Sequence, residues 1–156
     1  MAGTRRVAVT EQSTQSHPFL SKLDERHRTA LASAAKTFTA TPGELLAREG
    51  EPAKTFYLLQ AGHMGLDLHV PGRGLVSIQT VGPGEIVGWS WLVPPHRWQF
   101  DCRAVDCVQG LALDAAWLRE KCEQDHELGY QLLKELVTVI GNRLAATRVQ
   151  LLDIYK

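Results

Sequence analysis

The chain has 156 residues, 44% of them apolar and 22% charged, with 17 Lys and Arg against 17 Asp and Glu. That is enough chain to bury a substantial core as one domain, or as one domain with an extension. Zero net charge supplies no global field to hold a polyanion, which argues against nucleic acid as the main partner and suits a protein that hides surface in an oligomer or complex.

Residues 1–15 are polar, rich in Thr, Ser and Gln, and read as a disordered tail. Order is expected from Ser16-His17-Pro18, with Phe19, Leu20 and Leu23 forming a short apolar turn. Asp24 suits the N-cap of a helix running to about Ala35, with Glu25 in its first turn and Ala30, Leu31 and Ala34 on its apolar side. From Thr37 to Leu113 the pattern changes to short strand-like runs. Pro42-Gly43, Gly50-Glu51-Pro52, Ala61-Gly62, Pro71-Gly72-Arg73-Gly74 and Pro83-Gly84 punctuate them. Turn signals at this spacing mark an all-β barrel or sandwich.

Met64, Leu66, Leu68 and Val70 alternate with Gly65, Asp67 and His69, which predicts a half-buried strand. A hairpin loop over 70–74 should lead to a strand from Leu75 to Val81. After Leu113 the pattern becomes helical. Asp114 can cap a helix to about Glu123, and Asp125 a longer one to about Ile154. In that last helix Leu133, Val137, Ile140, Leu144, Thr147, Leu151 and Ile154 recur at alternating steps of four and three. A narrow seam over three heptads predicts a partner helix, and hence a homodimer.

Cys102, Cys107 and Cys122 lack the spacing of a disulfide framework or a zinc site and read as small buried thiols in a reducing cytoplasm. No apolar run approaches the roughly 20 residues of a membrane span, and no apolar h-region follows the N-terminal arginines. The six histidines are scattered, so no metal site is expected. No nucleophile elbow, P-loop or dinucleotide fingerprint points to an enzyme.

Pro83 to Ala104, PGEIVGWSWLVPPHRWQFDCRA, is the densest candidate site. It holds Trp89, Trp91 and Trp98, three of the four tryptophans. Trp89 and Trp91 stand two apart, so one is expected to point into the barrel and the other to be left for stacking on a ligand or partner.

The order of elements, and several blocks within it, resemble the cyclic nucleotide-binding domain of the catabolite-activator (Crp/Fnr) superfamily. The blocks are Pro42-Gly43-Glu44, Glu49 to Ala53, Phe56-Tyr57-Leu58-Leu59-Gln60-Ala61-Gly62, Pro83-Gly84-Glu85-Ile86-Val87-Gly88, Arg103-Ala104 and Asn142 to Thr147. Together they cover roughly Pro18 to Tyr155. The resemblance implies an α+β, mainly β fold. It would be a jelly-roll-like β-roll (a double-stranded β-helix) of about eight strands over 16–125, with N-terminal helices and a long C-terminal dimerisation helix over 126–156. It also implies a regulatory domain that binds a nucleotide or other small anion. A helix N-terminus and an arginine would hold the phosphate, and a glutamate the ribose hydroxyl.

On this pattern the ligand set is Gly84, Glu85, Gly88, Trp89, Ser90, Arg97, Trp98, Gln99, Arg103 and Thr147, the last reaching a base from the long helix. The dimer interface would be Leu133, Val137, Ile140, Leu144, Thr147 and Leu151. The pattern also departs from the family. Trp89 stands at the glutamate position, Trp98 at the arginine position and Gln99 where Ser or Thr is usual. Arg97 could replace the arginine only if the Pro94-Pro95 loop absorbs a one-residue shift. Ordinary cyclic AMP binding is therefore not expected. The alternative is a ligand-free interaction module docking on a larger enzyme, for example a redox enzyme. Direct DNA binding is not expected, because no recognition helix follows the long helix.

Overall fold

The computed structural model describes residues 17–155. The tail expected over 1–15 lies outside the described residues. The chain divides into two compact units, one through Glu120 and one from Lys121.

Among the described residues of the first unit, α1 (Pro18–Ser21) and α2 (Glu25–Ala34) precede eight strands. These are β1 (Lys36–Ala40), β2 (Leu45–Ala47), β3 (Thr55–Ala61), β4 (Met64–Val70), β5 (Gly74–Val81), β6 (Ile86–Val87), β7 (Asp101–Ala104) and β8 (Val108–Asp114). They form two four-stranded sheets, in the orders β1-β8-β3-β6 and β2-β7-β4-β5, with antiparallel pairing throughout. Neighbours distant in sequence, such as β1 with β8 and β2 with β7, wind the chain into the expected β-roll. Helix α3 (Ala115–Gln124) follows.

The aromatic run of β3 explains the two-sided core. Phe56 and Leu58 point to one face and Tyr57 and Leu59 to the other, and the strand is covered on both. Phe56 pairs across from Leu113 and Leu58 from Leu111, so β8 extends the same apolar face. The Ala61-Gly62 turn requires glycine. Gly62 has φ +83°, and a Cβ there would lie 2.1 Å from the Cys107 carbonyl oxygen.

Two expectations need correction. Strand β4 is covered on both faces from Met64 to Asp67, and the expected alternation holds only at Leu68, His69 and Val70, where His69 is exposed. Asp67 tolerates this because Arg103 Nε donates to its Oδ2 at 3.0 Å from the neighbouring strand β7. Cys102 is buried as expected, but Cys107 is exposed, at the turn that meets Gly62.

The second unit contains α4 (His126–Ile154), a helix of 29 residues. Asp125 caps it, its Oδ1 accepting from Leu128 N at 3.2 Å. Leu128, Leu132 and Leu136 are buried, whereas the heptad row from Leu133 to Ile154 is exposed along its length. No described helix is long and apolar enough to cross a membrane.

Candidate functional site

The Pro83 to Ala104 segment is anchored before it reaches its tryptophans. Gly82 N donates to Glu85 Oε2 at 2.6 Å, and Glu85 N to the Gly82 carbonyl at 3.1 Å. Gly84 N donates to the Leu59 carbonyl, and Leu59 N to the Glu85 carbonyl. Gly84 lies against Pro18. Gly84 and Glu85, expected as ligand contacts, thus hold the turn onto β3. Under it, His17 bonds the same Leu59 carbonyl through Nε2 at 3.0 Å and accepts from Phe19 N through Nδ1. Burial holds the His17 imidazole below its ordinary pKa.

The tryptophans separate onto two faces. Trp91 is fully buried and meets Phe56, which meets Phe19 edge-on. Trp98, 5% exposed, stacks on Tyr57 at 6.2 Å and meets Phe100 edge-on at 6.1 Å, while Tyr57 meets Phe38. Phe56 and Tyr57 are adjacent on one strand, so the two clusters lie on opposite faces of that sheet. The Trp98 cluster links strands β1 and β3 of one sheet to the approach to β7 of the other, which places it between the sheets.

Trp98 closes directly over Gly88. Gly88 has φ +97°, and a Cβ there would lie 2.8 Å from the Trp98 ring. Trp98 therefore faces the space between the sheets, whereas Trp91 lies on the Phe56 side of β3. Trp89 is half-buried and Ser90 buried. Burial raises the Tyr57 phenol above its ordinary pKa.

The charged candidates are not brought together there. Trp98 N donates to the Glu51 carbonyl and Gly50 N to the Trp98 carbonyl, pairing this stretch with residues 50–53. Arg97 consequently faces outward, and its Nη1 donates to the Gly50 carbonyl at 2.8 Å. The Pro94-Pro95 loop does not carry Arg97 inward. Gln99 is exposed and bonds the Arg97 carbonyl. Arg103 points away from Cys102, onto Asp67. Asp101, cross-strand partner of Asp67, accepts from Glu49 N and bonds His69 Nε2 at 3.1 Å. Thr147 is exposed on α4, its hydroxyl donating to the Arg143 carbonyl within that helix.

The profile of the cyclic nucleotide-binding domain matches residues 37–125. The chain belongs to the cyclic nucleotide-binding domain family. A cyclic nucleotide-binding domain from Methylobacillus flagellatus superposes with a TM-score of 0.82 at 18% identity, covering 94% of this chain and 86% of that one. The N-terminal domain of a transcriptional regulator from Streptomyces coelicolor gives 0.67 at 23% identity, covering 85% and 93%. At these identities the likeness speaks for the fold. A cAMP-dependent protein kinase regulatory subunit from Colletotrichum orbiculare is 34% identical over 71 residues, 46% of this chain. The chain spans 17% of the length of that relative.

Sequence reasoning missed the residues that accompany Trp98, namely Tyr57 and Phe100. Alternation of Trp98, Phe100 and Cys102 was the available signal. It also missed the facing carboxylates Asp67 and Asp101, because nothing local reveals which residues a strand will meet.

Proposed function

We propose that this chain is a regulatory module of the cyclic nucleotide-binding fold that responds to a nucleotide or another small anion without the family's Glu–Arg grip. One observation carries the reading: the Trp98 ring packs over Gly88 and against Tyr57 and Phe100, at the position where the resemblance implies the family's phosphate-binding arginine. Losing the charge partner of a partly buried phosphate costs on the order of 2–5 kcal/mol, or about 30-fold and more in affinity. Membership of the family supports the regulatory role.

Isothermal titration of the full chain with cyclic AMP, cyclic GMP and NADPH tests the reading. Neither cyclic nucleotide is expected to saturate below about 1 mM. Micromolar binding of either would overturn the proposed closure of the interior.

A second reading is an interaction module docking on a larger enzyme. It is favoured by the filled interior together with the exposed apolar row on α4. It predicts no thermal shift with any of the three compounds.

A further inference from the structure

The arginine that cannot reach the interior faces a cavity of its own. On the outer side of the 88–98 loop lies a cavity of about 430 Å³, within the size range of small-ligand sites. Lys54, Arg97 and Arg119 line it, with His96, Pro95 and a single carboxylate, Asp114. Three permanent cations thus surround one anion.

Both arginines are held in place. Arg97 Nη1 donates to the Gly50 carbonyl and Arg119 Nη1 to the Trp91 carbonyl, each at 2.8 Å. A guanidinium has five N–H donors, so one backbone bond orients the fork without using it up. The cluster is built by the fold. Thr55 pairs with Asp114, and Ala115 N donates to the Lys54 carbonyl, which sets Lys54 beside the start of α3. His96 has φ +58°, a conformation that a residue other than glycine seldom adopts, and its carbonyl accepts from Ala53 N at 2.7 Å. The turn that presents Arg97 is thus tied to the strand approach that presents Lys54.

We infer that this outer cavity binds a small polyanion through Lys54, Arg97 and Arg119. The inference deepens the proposed function by giving its anion a place outside the roll. Strand alternation links the two: with Trp98 inside, its neighbour Arg97 is outside. Occupancy would be felt by the 88–98 loop, because Arg97 belongs to it and Arg119 grips it at Trp91.

The test is a titration of the ¹⁵N-labelled full chain, followed by amide chemical shifts. Inorganic pyrophosphate is the phosphoryl probe and citrate the carboxylate probe. Saturable shifts are expected at Lys54, His96, Arg97 and Arg119, weakening as salt is added. The tighter of the two probes identifies the anion class. Arg97→Gln and Lys54→Gln, both at exposed positions, should each weaken binding about tenfold with an unchanged melting profile. Uniform, unsaturable shifts over all surface cations would overturn the outer site while leaving the closed interior standing. Shifts centred on Gly88 and Trp98 would overturn both.

Discussion

Trp98 fills the space over Gly88 with an aromatic ring that also meets Tyr57 and Phe100. The ring leaves no room for a side chain beneath it, and the backbone there must take a positive φ. Gly88 meets both demands, having φ +97° and no Cβ to strike the ring. Gly88→Ala should therefore cost roughly 2–4 kcal/mol, the sum of backbone strain and overpacking. Trp98→Leu withdraws the ring and should relieve part of that cost. In a double-mutant cycle read by urea denaturation, a coupling of about 1 kcal/mol or more is expected. Additivity within about 0.3 kcal/mol would mean that the ring does not close over Gly88.

At the scale of elements, α1 shows how a short helix can be set by one titratable side chain. His17 Nδ1 accepts from Phe19 N and Nε2 reaches the Leu59 carbonyl, which requires a neutral imidazole. Its folded pKa lies below the ordinary 6.5 because burial penalises the charged form. As pH falls through 6.5 the unfolded chain gains a proton that the folded chain resists. Stability should therefore fall as the pH drops through 6.5 and level off once the lowered folded pKa is passed. His17→Asn keeps a capping acceptor without a titration. Denaturant midpoints across this range should show that part of the slope removed; an unchanged slope would assign it elsewhere.

The same elements show what was legible beforehand. The turn glycines, the β3 run and the Asp114 and Asp125 caps are local signals, and each was realised in place. Partnerships between distant strands were not legible. Lys54 and Arg119 share a cavity only because Thr55 pairs with Asp114. Arg97 and Trp98 were recognisable as a pair on opposite faces, but which one faced inward depended on the ring contacts with Tyr57 and Phe100.

For the whole molecule the apolar row of α4 is the feature that bears on assembly. Val137, Leu144, Leu151 and Ile154 are each at least half exposed, and Leu133 and Ile140 add to the row. With 17 positive and 17 negative side chains, net repulsion does little to keep copies of the chain apart. The alternating steps of four and three suit a second α4 better than a broad face, with Thr147 as the polar member of the seam. Its hydroxyl is satisfied within the helix by the Arg143 carbonyl, so it can enter such a seam without stranding a donor. Sedimentation equilibrium should find the full chain dimeric. Truncation after Asn142 removes Leu144, Thr147, Leu151 and Ile154 and should give a monomer. Leu144→Glu, which keeps the helix but charges the seam, should do the same at matched concentration. A dimer that survives both changes would place self-association elsewhere and leave the α4 row to a different partner, as the docking reading requires.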